Sequence, residues 1–443
     1  MTATAGSLAR ASSIARAVVA NPATVWGAFV LAHLWLGLLN LYAPGLPLGD
    51  VTIVYKFWME QGFYGDRWVG IDTVWVYPIV AIVPMLAAWA FGPEQYAATW
   101  LSLVMILNAV AFGFVTGWGR SRERIPVAWW WVAFLVVLGP IALGRIDSIT
   151  VPLAMIGMLL IARRPIVAVV LLTIATWIKV WPAALIASAV IALRARLSLV
   201  VAGAVTSVVI LGVALAFGSG GNALSFITQQ TGRGLQIEAP ISTFWLWQVA
   251  AGVSDTFVYY DRVILTFQVA GQGVDAAAFL MTPVLAVAVL AIALLGIRAS
   301  RAGVAVAELL PPLSLAFIVA LIAFNKVGSP QFVSWIAVPV VLGLATHAAG
   351  FGRSFRTPAI LALVIAALTQ LIYPYLYTAL LETQVPILIV LTARNLLLFV
   401  LLGWAVHALI TAPREDQFTP DSDEEWLGSV WPLGDHSVSS TKE

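Results

Sequence analysis

Apolar runs long enough to approach a bilayer crossing recur along the whole chain, separated by short polar punctuation. A helical span needs about 20 predominantly apolar residues. Runs of this kind fall at 23–41, 97–117, 127–142, 147–162, 165–178, 181–193, 197–217, 276–297, 304–323, 329–346, 357–379 and 386–410. Several are short, which predicts tilted helices and half-helices. The pattern therefore predicts an all-α polytopic membrane protein, a bundle of about twelve transmembrane helices. One more apolar stretch, 78–91, carries Pro84 inside it and stops at Gly92-Pro93. Proline removes a ladder hydrogen bond, so this stretch is expected to be re-entrant or to lie along the membrane surface.

Charge orients the bundle. With the N-terminus in the cytoplasm, as Arg10 and Arg16 favour, the cytoplasmic connections receive Arg120, Arg122 and Arg124 and the pairs Arg163/Arg164, Arg194/Arg196, Arg298/Arg301 and Arg353/Arg356. With the termini, that side holds 15 of the 23 Lys and Arg, the excess that cytoplasmic loops carry. The segregation requires that 78–91 does not cross, since a crossing there would put Arg120 to Arg124 outside. Both termini are then cytoplasmic, and the long loops 42–96 and 218–275 are extracytoplasmic. Residues 1–22 lack a small-residue cleavage site, so the first span is expected to be an uncleaved anchor. The transmembrane body would occupy 23–411. Segment 412–443, with eight acids against two bases after Pro413, reads as a disordered cytoplasmic tail.

Composition agrees and narrows the chemistry. Of 443 residues 61% are hydrophobic and only 10% charged, against about 25% charged in soluble domains. The absence of cysteine excludes disulfides, thiol nucleophiles and thiolate metal sites. His33, His347, His407 and His436 are scattered, with no metal-ligand spacing. The basic clusters are topology determinants rather than nucleic-acid patches.

Loop 42–75 concentrates Asp50, Glu60, Asp66 and Asp72 among aromatics. Within 50–61, Val51, Val54, Tyr55 and Trp58 share one helical face and Lys56 stands four residues before Glu60. This predicts an amphipathic helix on the outer leaflet, beginning at Asp50 and C-capped by Gly62. A carboxylate at that start is either a plain N-cap or a general base facing a cavity. Charged residues inside or beside spans are the next signal, because each costs about 2.5–3.5 kcal/mol at a helix centre. They are Arg145 and Asp147 in Gly144-Arg145-Ile146-Asp147, Lys179 between Trp177 and Trp181, Lys326 before Gly328, Arg233 and Glu238 in the second long loop, and Arg394 in the last span. Any one alone fits interfacial snorkelling or a local salt bridge. As a set on one side, they supply what a buried phosphodiester needs. Trp58, Trp68, Trp75, Trp177, Trp181 and Trp335 stand near them along the chain and could stack on sugar rings.

Gly49-Asp50, followed by Tyr55, Gly62, Tyr64 and Tyr77-Pro78, resembles the first loop of the polyprenyl-phosphate-mannose-dependent α-mannosyltransferases, GT-C-fold enzymes of the glycosyltransferase 87 type found in actinobacteria. Gly144 to Asp147 is similar to that family's Gly-Gln-x-Asn segment, Lys179 to Pro182 to its Lys-x-x-Pro segment, and Ser329 to Trp335 to its Ser-Pro-Gln-aromatic segment. Two departures stand out: Ile79 replaces a second proline, and Arg145 and Asp147 replace Gln and Asn. The resemblance spans roughly 50–345. It implies a GT-C-like bundle at the plasma membrane with an extracytoplasmic site. It implies Asp50 as catalytic base, a polyprenyl-phosphate sugar donor, an envelope glycolipid or glycan acceptor, no nucleotide sugar, no obligatory metal, and inversion at the anomeric carbon. Arg145, Lys179, Arg233 and Lys326 become the candidates to hold the departing phosphate. Tyr55, Trp58, Tyr64, Tyr77, Asp147, Glu238 and Gln331 become the candidates to line the substrates. Mannose is the expected sugar, with arabinofuranose on the same lipid as the alternative. A flippase or transporter for a lipid-linked sugar is the rival from another class, although the sequence has no internal repeat and its charges gather at one interface. A scaffold for envelope assembly is the third reading.

Overall fold

The computed structural model describes residues 19–229, 232–262 and 264–413; the N-terminal segment up to residue 18 and the acidic tail from 414, both expected to be cytoplasmic, lie outside the described residues. Helix α1 (Pro22–Tyr42) opens the bundle, with Asn21 as N-cap accepting from the Ala23 N–H at 2.9 Å and Pro22 in the first turn, where its missing N–H costs nothing. A π-helical turn, Asp50–Tyr55, continues without a break into α2 (Lys56–Gly65). A 3₁₀ turn, Ile79–Ala81, leads into α3 (Ile82–Ala88). Then come α4 (Tyr96–Thr116), α5 (Ile125–Leu138), α6 (Asp147–Leu160), α7 (Pro165–Ile178), α8 (Ala183–Ala192) and α9 (Arg196–Ala216). The second long loop contains α10 (Thr243–Ala250) and an antiparallel hairpin, β1 (Phe257–Asp261) and β2 (Thr266–Ala270). The chain ends with α11 (Val274–Arg301), α12 (Val306–Ala323), α13 (Ala337–Ala348), α14 (Arg356–Gln370) and α15 (Val385–Ile410).

Among the described residues nine helical stretches are long and apolar enough to cross a membrane, which makes this a multi-pass membrane protein. Each predicted span overlies a helix. Three of them, at α6, α7 and α8, have only 14, 14 and 10 residues, about 15–21 Å of rise, and are the predicted half-helices. Burial ranks the layers. In the most apolar window of α12, 89% of residues are buried, against 11% for α9 and 17% for α11. α12 is thus central, packed with α6 and α13 in one continuous apolar core, while α9 and α11 present apolar side chains outward. A second, smaller core unites Leu235, Ile237, Trp245, Leu246 and Val269 with Ile372, Leu380, Ile387, Leu388 and Leu391. The first turns of α15 therefore pack on the second long loop rather than on the main core.

The fold is all-α in its framework, as expected, and the second loop adds one two-stranded hairpin, with Tyr260 opposite Phe267 and Tyr259 opposite Gln268. One expectation is corrected. The helix predicted over 50–61 runs to Gly65, and its C-cap is Asp66 in the left-handed region (φ 51°), not Gly62. Gly62 is instead buried beneath the Trp68 indole, where a Cβ would overlap the ring.

Candidate active site

The site forms where the loops after α1, α5, α7, α9, α12 and α14 meet. Asp50 sits in the first turn of the π-helical segment, but Gly49 is the N-cap and no side chain caps that end. The Asp50 carboxylate turns to Arg145 instead, with Oδ2 3.0 Å from Nε. Arg145 is buried, and its other donors are also committed: Nη1 donates to the Pro47 and Gly144 carbonyls at 2.6 and 2.8 Å, and Nη2 to the Tyr373 hydroxyl at 2.8 Å. Burial alone would lower the Arg145 pKa, yet Asp50 first, then Tyr373 and Tyr55, carry it above the ordinary value. The Asp50 side chain keeps 39% exposure, so the guanidinium fixes one oxygen while the carboxylate still faces outward.

Tyr55, at the end of the same turn, accepts a hydrogen bond from the Ile146 N–H at 3.2 Å and lies 3.4 Å from the Tyr77 hydroxyl. It thereby ties the first loop to the start of α6, one residue before Asp147. Burial, with Tyr77 and Asp50 adding to it, pushes the Tyr55 hydroxyl well above its usual range. Trp58 packs on Tyr55, Trp75 and Tyr77 at centroid distances of 5.5–5.9 Å, making an aromatic wall.

Asp147 is buried at the first position of α6, where the helix dipole favours a carboxylate. Its Oδ1 accepts from Trp335 Nε1 at 2.7 Å, and Lys179 Nζ stands 3.7 Å from its Oδ2. Lys179 lies 4.8 Å from the Tyr77 ring centroid and 5.7 Å from that of Phe332. Burial opposes its charge, but Asp147 first and Tyr77 next raise the ammonium above its ordinary pKa. Trp181 stacks on Trp335 at 5.3 Å with planes 8° apart, fixing the indole that holds Asp147.

The second loop contributes Arg233 and Glu238. Burial lowers Arg233, and burial first and then the charge of Arg233 lower Lys326. Glu238 is buried, with Oε2 3.5 Å from Arg394 Nη2, while the same nitrogen donates to the Glu238 carbonyl at 3.1 Å. Burial raises its carboxyl to about 7 against the pull of Arg394 and Arg145. The two loops are clamped together. Gln236 N–H donates to the Lys326 carbonyl at 3.1 Å, and a Cβ on Gly328 would meet the Ala239 backbone.

Eleven of the twelve predicted positions thus belong to one neighbourhood joined by contacts or electrostatic reach, or to the elements that build it. Gln331 enters through its place in the buried 3₁₀ segment Pro330–Ile336, whose Ser334 hydroxyl donates to the Gln331 carbonyl. Tyr64 does not belong. It is 73% exposed and meets Trp89 at 6.1 Å, on the outer side of α2. Tyr373 and Tyr377 were not among the candidates, yet Tyr373 holds Arg145, and Tyr377 lies within reach of Glu238 and Asp50. Their run, Tyr373-Pro374-Tyr375-Leu376-Tyr377, reads as the end of an apolar span. The usable cue was a proline amid tyrosines at an interface. Among the described residues no group of three or more His, Asp or Glu could hold a metal. No family model, curated protein or solved structure matches this chain.

Proposed function

We propose that this protein is an inverting glycosyltransferase that moves a sugar, mannose in the first instance, from a polyprenyl-phosphate donor to an envelope glycolipid or glycan. The observation that carries the reading is Asp50: an outward-facing carboxylate fixed at Oδ2 by a buried Arg145, and within electrostatic reach of Lys179. The acceptor oxygen attacks the anomeric carbon while Asp50 takes the hydroxyl proton. The bond from that carbon to the phosphate oxygen breaks, and its electron pair leaves with the polyprenyl phosphate. A phosphate leaves without protonation, so preorganised cations matter more than a general acid. Lys179, Arg233 and Lys326 are the groups to hold it. Arg145, with four of its five N–H groups committed, positions the base. The resemblance of the first loop and of three later segments to the GT-C mannosyltransferases supports the same assignment.

In this reading the chain crosses the plasma membrane twelve times with both termini in the cytoplasm, and α3 is a re-entrant or surface-lying segment beside an extracytoplasmic site. The test uses purified protein in lipid, radiolabelled polyprenyl-phosphate mannose and a membrane-glycolipid extract. Asp50→Asn should lower transfer about 10²–10⁴-fold, the usual worth of a general base. Equal transfer by both proteins would remove Asp50 from the chemistry. Transfer with the arabinofuranosyl donor alone would change the sugar. Donor binding without transfer from either donor would favour a lipid-linked-sugar transporter.

A further inference from the structure

One exposed apolar stripe runs the length of α11 and continues onto the hairpin. Phe279, Val287, Leu290 and Leu294 share a face of the helix and are 56–77% exposed. Asp275 and Arg298, also exposed, close that face at its two ends. At about 1.5 Å of rise per residue the two charges stand about 35 Å apart, slightly more than the ~30 Å hydrocarbon core of a bilayer. An apolar face of that length between charged ends is the lipid-facing side of a span. It sets Asp275 at one bilayer surface.

The hairpin carries the stripe past that charge. β2 ends at Ala270 and α11 opens at Val274, so the sheet stands directly above the first turn of the helix. Burial first, and then Asp261 and Asp275, raise the Tyr259 hydroxyl above its usual pKa, which places Tyr259 within electrostatic reach of that turn. Phe257 lies on the same side of β1, two residues earlier, and the two rings meet at 6.1 Å. Phe257 is 53% and Tyr259 38% exposed. Aromatic rings with one apolar end and one wet end gather where hydrocarbon meets water. The hairpin is also tied to the candidate site. Val269 N–H donates to the Leu235 carbonyl at 3.0 Å and Ile237 N–H to the Phe267 carbonyl at 3.3 Å, joining β2 to the segment between Arg233 and Glu238.

We propose that the hairpin rests on the bilayer surface at the Val274 end of α11, with Phe257 and Tyr259 among the lipid headgroups. The segment between Arg233 and Glu238, bonded to β2, is thereby held beside that surface. Lipid is the partner because the exposed rings prolong a face of α11 whose length and charged ends match a bilayer. This contact goes beyond the glycosyltransferase reading and holds for any activity at the site, so the two stand or fall separately.

The sequence has no cysteine, so one substitution gives one labelling position. Phe257→Cys, Tyr259→Cys and, as a reference inside the span, Leu290→Cys are each coupled to a nitroxide in the full-length protein in lipid nanodiscs. Collision of the label with oxygen, which concentrates in hydrocarbon, is compared with collision with a neutral nickel chelate, which stays in water. Labels at 257 and 259 should favour oxygen over the chelate more than the free label does in buffer, and less than the label at 290 does. Labels at both positions that meet the chelate as freely as in buffer would put the hairpin in water and overturn the proposal. Labels shielded from both agents would show a protein surface there, such as a second copy of this chain, and would overturn it equally.

Discussion

The buried pair between Lys179 and Asp147 gives a prediction whose size follows from its environment. The Asp147 side chain is 1% exposed, and beyond the Trp335 indole N–H its compensation is the Lys179 ammonium at 3.7 Å. Lys179→Met keeps the length of the side chain and removes its charge, which leaves a buried carboxylate with one neutral donor. Removing one partner of a buried pair costs about 3–5 kcal/mol. The Lys179 side chain retains 18% exposure, so the lower end, about 3 kcal/mol, is expected. Asp147→Asn leaves a cation that can turn to water and to the Tyr77 ring, and should cost about 1–2 kcal/mol, mostly through the weakened Trp335 bond. The double variant no longer buries an uncompensated carboxylate and should be more stable than the sum of the two single losses, by up to about 3 kcal/mol. The assay is denaturant unfolding in detergent micelles followed by tryptophan fluorescence. Single losses that add to within about 0.5 kcal/mol in the double variant would refute the pairing argument. So would a Lys179→Met protein that unfolds at the wild-type midpoint.

Other positions give shorter forecasts. Folding raises the Glu238 carboxyl from 4.5 to about 7. The unfolded chain then loses this proton first, so stability should fall by ~3 kcal/mol as pH rises from 4.5 to 7 and flatten above. Glu238→Gln should flatten that limb, and an unfolding-midpoint series against pH would reveal whether it does. Gly328→Ala would drive a Cβ into the Ala239 backbone and should destabilise by about 1–3 kcal/mol. It should also weaken donor capture, since it separates the loops that carry Lys326 and Glu238; wild-type donor affinity would speak against that coupling. Tyr64→Ala, at an exposed ring, should leave transfer and unfolding within about 0.5 kcal/mol of wild type, and a tenfold loss of transfer would return Tyr64 to the site.

The helices were legible because hydropathy dictates them: every run of apolar residues became a helix, including the three of 10 to 14 residues. Loop chemistry was partly legible. Asp50, Arg145, Asp147, Lys179, Arg233, Glu238 and Lys326 were visible because a charge beside an apolar span is expensive and needs a reason. What the chain did not disclose is pairing. Nothing local says that Asp50 faces Arg145, 95 positions away, or that Asp147 takes its hydrogen bond from Trp335, since these partners meet only when the bundle closes. Tyr373 and Tyr377 were hidden for the opposite reason, as hydrophobicity absorbed them into a span. The hairpin was hidden too. Its Phe257-Val258-Tyr259-Tyr260 run favours a strand, but it sits in a loop that polar residues and glycines had already marked as irregular.

Pairing also divides the labour among the cations. Arg145, Lys179 and Arg394 each lie against a carboxylate, Asp50, Asp147 and Glu238 respectively. Arg233 and Lys326 bring two further positive charges into the same neighbourhood. Burial lowers both, and Arg233 further opposes the charge on Lys326. An anion beside them would oppose both effects. In the proposed reaction the phosphodiester carries one negative charge and the departing phosphate gains a second, so its attraction to Lys179, Arg233 and Lys326 grows as the bond to the sugar breaks. That is the difference between ground and transition state that accelerates a reaction rather than merely tightening binding. In the proposed reaction Arg145 sets the geometry of the base, and Lys179, Arg233 and Lys326 stabilise the leaving group.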